Sequence, residues 1–175
     1  MHEDKLIQRM EQGDTSAADE LVRIYYPEIL RYCVWHAPDS ASAEDAAQET
    51  FLKAIRCFDR YEHRGKFKSF LYRIASNTCI DMARKNSRAD LPLEFAENVG
   101  KTDENIAALE SEMNFRQMLN SLPTENREIL FLRFGQDLTL KEIGNVLGLP
   151  MRTVQSKLRS SLKILKNSMK EGEFK

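Results

Sequence analysis

Glycine and proline are scarce in this chain of 175 residues, at seven and five, and stretches in which apolar and polar residues alternate are few. Little is present from which to build the hairpins of a β protein. Cysteine numbers three, at Cys33, Cys57 and Cys79. An odd count at wide spacings is a poor disulfide framework, so a reducing compartment is expected. No apolar run approaches the ~20 residues needed to span a bilayer, and the opening MHEDKLIQRMEQGD has no apolar stretch of signal-peptide length. A soluble, cytoplasmic protein without direct membrane insertion is the expectation. A dominant sign of charge is also missing: the net charge is −1, which argues against a wholesale polybasic coat.

What the chain does have is charge segregation. Residues 1–52 balance at −7, residues 53–88 at +7, residues 89–115 at −6 and residues 116–175 at +5. Two basic blocks separated by an acidic one suggest two surfaces for a polyanion, because local potential governs attraction to phosphate more than net charge does.

Apolar residues recur throughout with the 3.6 period of a helix, so the fold class is all-α. The expected architecture is two small helical domains, over 1–88 and 106–175, joined by a flexible acidic linker over 89–105. A helical pair is expected from Thr15 to Ala37, with Asp14 as N-cap, a kink at Pro27, and Leu30, Cys33, Val34 and Ala37 on one face. Ser42 and Asp45 have capping-box spacing, followed by a buried stripe of Ala47, Phe51, Ala54, Ile55 and Phe58 in a helix ending near Arg60. A basic loop precedes a helix over 67–85 whose core side carries Phe67, Leu71, Ile74, Ala75, Thr78 and Met82. Periodicity lapses at 88–105. Ile106, Leu109 and Met113 then restart a helix, Leu122-Pro123 breaks it, and Ile129, Leu130, Leu132 and Phe134 lie within another.

The sharpest signal is TLKEIGNVLGLPMRTVQSKLRSSLKIL. Thr139 and Glu142 have capping-box spacing, Leu140, Ile143 and Leu147 give a short helix one apolar face, and Gly148-Leu149-Pro150 forms a tight turn. A second helix places Val154, Leu158, Leu162 and Leu165 inward, while Arg152, Thr153, Gln155, Ser156, Lys157 and Arg159 point elsewhere. That is the layout of a helix-turn-helix, whose second helix offers side chains to the major groove. Arg and Lys can bridge guanine acceptors or pair with phosphates, Gln can pair with adenine, and hydroxyls can reach the backbone.

Two further faces stand out in the N-terminal half. Asp45, Gln48, Glu49 and Leu52 share i, i+3, i+4, i+7 spacing, an acidic stripe with one leucine that suits a basic protein partner. Phe70, Arg73, Asn77, Asp81 and Arg84 form the non-core stripe of the next helix, preceded by Tyr61, His63, Arg64, Lys66 and Lys68. Basic groups interleaved with aromatics suit single-stranded DNA, whose bases stack on rings while its phosphates are neutralised.

Together these blocks resemble the bacterial sigma-70 family, in its short extracytoplasmic-function (ECF) type of two helical domains and a linker. AEDAAQETFLKAIRCFDRY and FKSFLYRIASNTCIDMARK are similar to the second sigma domain, and LPTENREILFLRFGQDLTLKEIGNVLGLPMRTVQSKLRSSLKIL to the fourth. The resemblance implies a factor that binds core RNA polymerase, directs it to promoter DNA and helps open the minus-ten element. It implies that Asp45, Gln48, Glu49, Phe51 and Leu52 meet the clamp of the largest polymerase subunit. Lys66, Phe70, Arg73, Asn77, Asp81, Arg84 and Lys85 would hold the non-template strand of the minus-ten element. Arg152, Thr153, Gln155, Ser156, Lys157 and Arg159 would read the minus-thirty-five element. An anti-sigma factor is an implied partner, and a small membrane-spanning protein encoded next door would point to one.

Two departures from the family pattern are visible. Phe70 stands where the family usually has Trp, which keeps a stacking surface and loses an indole N–H. Arg159-Ser160-Ser161 stands near the usual R-A-R. No catalytic residues, metal or cofactor are expected. The competing readings are a two-domain helix-turn-helix regulator that does not bind polymerase, and a metal or thiol enzyme built on Cys33-x-x-His36 with Cys57, Cys79 or His63. That last set lacks paired ligand spacing, and Cys33 lies on an apolar face, so a buried structural cysteine is the better reading.

Overall fold

The computed structural model describes residues 2–61, 67–87 and 114–172, and among them there are helices and no strand. The chain divides into two compact units, Met1–Gly100 and Lys101–Lys175. The expected linker over 89–105 lies outside the described residues, as do Ile106, Leu109 and Met113, and His63, Arg64 and Lys66.

The first unit contains α1 (His2–Glu11), α2 (Thr15–His36), α3 (Ser40–Arg56), a 3-10 turn (Phe58–Arg60) and α4 (Phe67–Ser87). Helix α1 was not expected, yet Leu6 and Ile7 are buried to 1% exposure. Its end is clipped to α2 by Arg9, which donates to Asp14 at 2.8 Å, to Glu20 at 3.1 Å and to Ser16 at 2.9 Å. Asp14 caps α2 as its position implies, accepting from the Ser16 N–H at 2.9 Å. Hydrogen bonds from the Ser16 hydroxyl and then from Arg9 pull its carboxyl down to about 2.

Four local expectations for this unit are corrected. One continuous helix replaces the expected pair, with Pro27 inside it. A proline removes one backbone hydrogen bond, whereas Leu21, Tyr25, Ile29 and Tyr32 bury a stripe on both sides of it. That stripe, with Cys33, is the true core face; Leu30, Val34 and Ala37 are only half-buried. The cap of α3 is Asp39 rather than Ser42, which donates to it through its N–H at 2.7 Å and its hydroxyl at 2.9 Å. Ile55 is 49% exposed, because the buried arc of α3 is centred on Ala43, Ala46, Ala47, Thr50 and Ala54 and Ile55 falls past its edge.

Tyr32 and Tyr72 hold α2 to α4 edge-to-face, with centroids 5.3 Å apart. Beside them the Cys33 and Cys79 sulfurs lie 4.0 Å apart, with neither joined in a disulfide. The contact with Cys79 and burial push the Cys33 thiol far above its ordinary range. A thiol reagent applied to the native protein at pH 8 is therefore expected to modify Cys57 and Cys79 first. Cys33 should react only as fast as the unit unfolds. Peptide mass spectrometry over time reads this, and early labelling of Cys33 would contradict the packing of α2 against α4.

The second unit contains a helical stretch, α5, over 114–119, then α6 (Thr124–Leu130), which runs into a π-type turn (Phe131–Gly135), then α7 (Leu140–Leu147) and α8 (Met151–Gly172). Leu119, Ile129, Leu130, Leu132, Ile143 and Val154 form its core at 0–1% exposure. Leu162, expected inward, is 43% exposed. Positions 154, 158, 161 and 165 make the 4-3-4 stripe, so Ser161 occupies the core face instead and is fully buried. Its hydroxyl accepts from the Asn126 side chain at 2.9 Å and donates to the Lys157 carbonyl at 2.7 Å. A buried hydroxyl is tolerable because both of these bonds are made.

Candidate functional site

Three surfaces expected from the sequence can be placed. On α3, Asp45, Gln48 and Leu52 are exposed, Leu52 at 48%, and Glu49 is partly so. The stripe exists because the small residues Ala43, Ala46, Ala47 and Ala54 let the opposite face of α3 sit closely on its neighbours. Phe51 departs from this group. It is 7% exposed and stacks on Tyr26 with centroids 6.0 Å apart, so it seats α3 on α2 rather than facing outward.

On α4, Arg73, Asn77, Asp81, Arg84 and Lys85 are all exposed. Phe70 is half-buried at the head of this face, 4.9 Å from the Tyr61 ring and 5.6 Å from that of Phe67. Phe67 belongs to the core at 4% exposure, so only part of the aromatic cluster offers a stacking surface. The Tyr61 hydroxyl is pushed up to about 12 by burial and then by the charges of Glu3, Asp4 and Glu11, and it stays neutral at physiological pH. Lys68, expected in the basic loop, is paired with Glu28 of α2 at 2.8 Å and acts within the unit.

The stripes of α3 and α4 meet at Lys53, which sequence reasoning did not single out. Its ammonium lies 3.3 Å from the Thr78 hydroxyl, 4.0 Å from Glu49 and 3.9 Å from Asp81. Glu49, Lys53, Thr78, Asp81, Met82, Arg84 and Lys85 line a groove of about 310 Å³. The only signal in the sequence was the i, i+4 spacing of Glu49 and Lys53. Its continuation to α4 is a tertiary fact.

In the second unit the helix-turn-helix is built as its residues imply. Thr139 and Glu142 form a reciprocal capping box: the Glu142 N–H donates to the Thr139 hydroxyl at 3.3 Å, and the Thr139 N–H donates to the Glu142 carboxylate at 2.7 Å. Gly148 ends α7 at φ 67°, a left-handed conformation that costs a side-chain-bearing residue and suits glycine. Arg152, Gln155, Ser156 and Arg159 are exposed on one face of α8, with i, i+3, i+4, i+7 spacing. Thr153 is half-buried, its N–H bonded to the Pro150 carbonyl at 2.9 Å. Lys157 is tied to Glu125 of α6 at 2.6 Å, so its charge is partly neutralised by the fold.

Among the described residues no group of three or more His, Cys, Asp or Glu is placed to hold a metal, and no helix is long and apolar enough to cross a membrane. The surfaces present are suited to binding: an acidic, partly apolar face beside a basic one headed by aromatics, and a separate basic helix-turn-helix.

Comparison with known proteins agrees with this geometry. The family model described as Sigma-70 region 2 matches residues 21–89, and Sigma-70, region 4 matches residues 118–167. The chain is 30% identical to the ECF RNA polymerase sigma factor SigW of Bacillus subtilis, over 95% of this chain and 96% of that one. It is also 30% identical to the RNA polymerase sigma-H factor of Pseudomonas aeruginosa, over 88% of this chain and 86% of that one. Among solved structures, CnrH in complex with the cytosolic domain of CnrY has the same fold, with a TM-score of 0.72 at 19% identity, covering 98% of this chain and 99% of that one. The sigma factor RpoE of Bartonella quintana, in complex with the anti-sigma factor NepR, gives a TM-score of 0.71 at 20% identity, covering 87% of this chain and 96% of that one. With both family regions matched in order and relatives covered almost from end to end, the chain belongs to the sigma-70 family and is an RNA polymerase sigma factor of the ECF type.

Proposed function

We propose that this sigma factor works in the cytoplasm and binds core RNA polymerase through Asp45, Gln48, Glu49 and Leu52, with Phe51 seating the helix that presents them. The non-template strand of the minus-ten element lies along Phe70, Arg73, Asn77, Asp81, Arg84 and Lys85, with Lys66 just before them in sequence. The minus-thirty-five element is read by Arg152, Thr153, Gln155, Ser156 and Arg159, with Lys157 bracing α8 against α6. Residues 1–88 carry the first two tasks, 106–175 the third, and 89–105 join them. The role is that of an initiation factor rather than an enzyme. One observation carries the reading: an outward acidic stripe on α3 adjoins an outward basic stripe on α4 in the same unit, an adjacency that a simple DNA-binding regulator does not need. Reconstitution with core polymerase on a genomic promoter library tests it, by scoring which transcription starts appear only when this protein is added.

An anti-sigma factor is the proposed regulator, since a solved relative of the same fold was captured with one. It would act by covering the faces that polymerase and promoter use.

The two DNA roles separate experimentally. Gln155→Ala is expected to relax preference at one or two minus-thirty-five positions, a lost base contact being worth ~1–3 kcal/mol. Asn77→Ala should leave recruitment to closed duplex nearly intact and impair opening, because its partner strand exists only after melting. A promoter with a pre-melted minus-ten bubble should rescue the opening defect of Asn77→Ala and leave the discrimination defect of Gln155→Ala in place. Equal rescue of both variants would refute this division of labour.

A further inference from the structure

We infer that Glu3 is a positioning residue for strand capture, its carboxylate tying α1 to the first residue of α4 and thereby setting where the strand-holding face begins. The inference rests on the proposal that α4 holds the melted strand. Glu3 Oε1 accepts from the Phe67 N–H at 3.0 Å, across 64 positions of sequence. Its other oxygen accepts from the Tyr25 hydroxyl of α2. The first N–H groups of a helix have no acceptor within the helix, and a carboxylate there satisfies a donor and complements the positive end of the helix dipole. Such a cap usually comes from the residues just before the helix; here a side chain of α1 supplies one.

The consequence runs into the strand-holding face. Phe67, whose N–H is held, packs its ring 5.9 Å from Tyr25, 5.5 Å from Tyr61 and 5.6 Å from Phe70. One carboxylate therefore fixes both members of the Tyr25–Phe67 pair and, through Phe67, the seat of Phe70. Burial and the bond to Glu3 push the Tyr25 hydroxyl well above its ordinary range, so it remains a donor that orients the carboxylate.

Electrostatics alone predicts the opposite sign. A carboxylate near a phosphate-binding face repels DNA, so by charge Glu3→Gln should tighten strand binding and Glu3→Ala should do the same. Positioning predicts that Glu3→Ala weakens binding and that Glu3→Gln, whose amide oxygen can still accept from the Phe67 N–H, restores it.

The experiment measures the Kd of reconstituted holoenzyme for a labelled single-stranded non-template minus-ten oligonucleotide, with hydrogen exchange at the Phe67 amide read on the same variants. For Glu3→Ala, Kd is expected to rise about tenfold and exchange at Phe67 to speed up similarly, the scale of a lost cap. Glu3→Gln should stay within about twofold of the parent on both readouts. Tyr25→Phe, which keeps the buried ring and frees one carboxylate oxygen, should fall between them and serves if Glu3→Ala fails to fold. Parental affinity in Glu3→Ala and Tyr25→Phe, with Asn77→Ala weakened in the same assay, overturns the role of Glu3 alone. Parental affinity in Asn77→Ala as well overturns the strand-holding reading on which it rests. Equal weakening of Glu3→Ala and Glu3→Gln also overturns the role, since positioning requires the conservative variant to recover.

Discussion

Replacing Asp45 by Arg together with Gln48 by Ala is expected to weaken binding to core polymerase about a hundredfold, since like charge set against a basic partner costs several kcal/mol. Both side chains are exposed on α3, so the folded unit should survive; exposed substitutions away from special features usually change stability by less than about 0.5 kcal/mol. An arginine at 45 would also stand one turn before Glu49, a favourable pairing on a helix surface. Circular dichroism should therefore match the parent while affinity for core falls. Phe51→Ala is the wrong probe for this surface, because the Phe51 ring is buried against Tyr26 and its loss would act through folding. Unchanged affinity for core in the double variant would remove the role proposed for the acidic stripe.

Gly144→Ala is expected to disable the helix-turn-helix from inside. A methyl group at this position would stand 2.6 Å from the Leu149 carbonyl oxygen, a backbone atom that no side-chain rotation can move away. The Gly144 carbonyl also accepts from the Gly148 N–H and, at 2.9 Å, from the Leu149 N–H, so the turn is pinned to α7 where the methyl group would intrude. Relieving the clash means shifting the turn and with it the start of α8, where Arg152 and Thr153 lie. Overpacking of this kind costs ~1–3 kcal/mol. Discrimination at the minus-thirty-five element should collapse while binding of single-stranded minus-ten DNA, assigned to the other unit, persists. Gly148→Ala is the matched control: open space surrounds that position, and the left-handed φ alone should cost ~1 kcal/mol. If Gly144→Ala melts with the parent and keeps its promoter preference, the close approach of α7 and the turn does not hold in solution.

Much of this was legible from spacing because local rules suffice where a helix has one partner face. The capping box of Thr139 and Glu142, the cap at Asp14, the turn at Gly148 and the exposed stripes of α3 and α4 each follow from residues within one or two turns of one another. Where apolar residues crowd both edges of a face, the period alone misplaced the centre. Ile55 and Leu162 read as core and are exposed, while Ser161, which the period did not place on the core face, is buried. Hydrophobicity ranked leucine above serine; the Asn126 side chain 35 positions away supplied the bond that reverses the ranking.

Helix α1 illustrates the same boundary between local and distant information. Leu6, Ile7 and Met10 carried a helical pattern too short to stand out, and an isolated helix of ten residues is marginal in water. Its stability comes from burial against α2 and from the Arg9 clip to Asp14 and Glu20.

By itself the sequence determined an all-helical chain, two charged faces in its N-terminal half and a helix-turn-helix in its C-terminal half, because helical period, caps and charge runs are properties of neighbours. The tertiary structure alone decided that Lys53 joins the α3 and α4 stripes, that Lys157 and Lys68 are engaged by Glu125 and Glu28, and that Glu3 holds the first residue of α4. Each of these is a hydrogen bond or ion pair between groups 25 or more positions apart, and such pairings depend on which helices pack together, which no local pattern encodes.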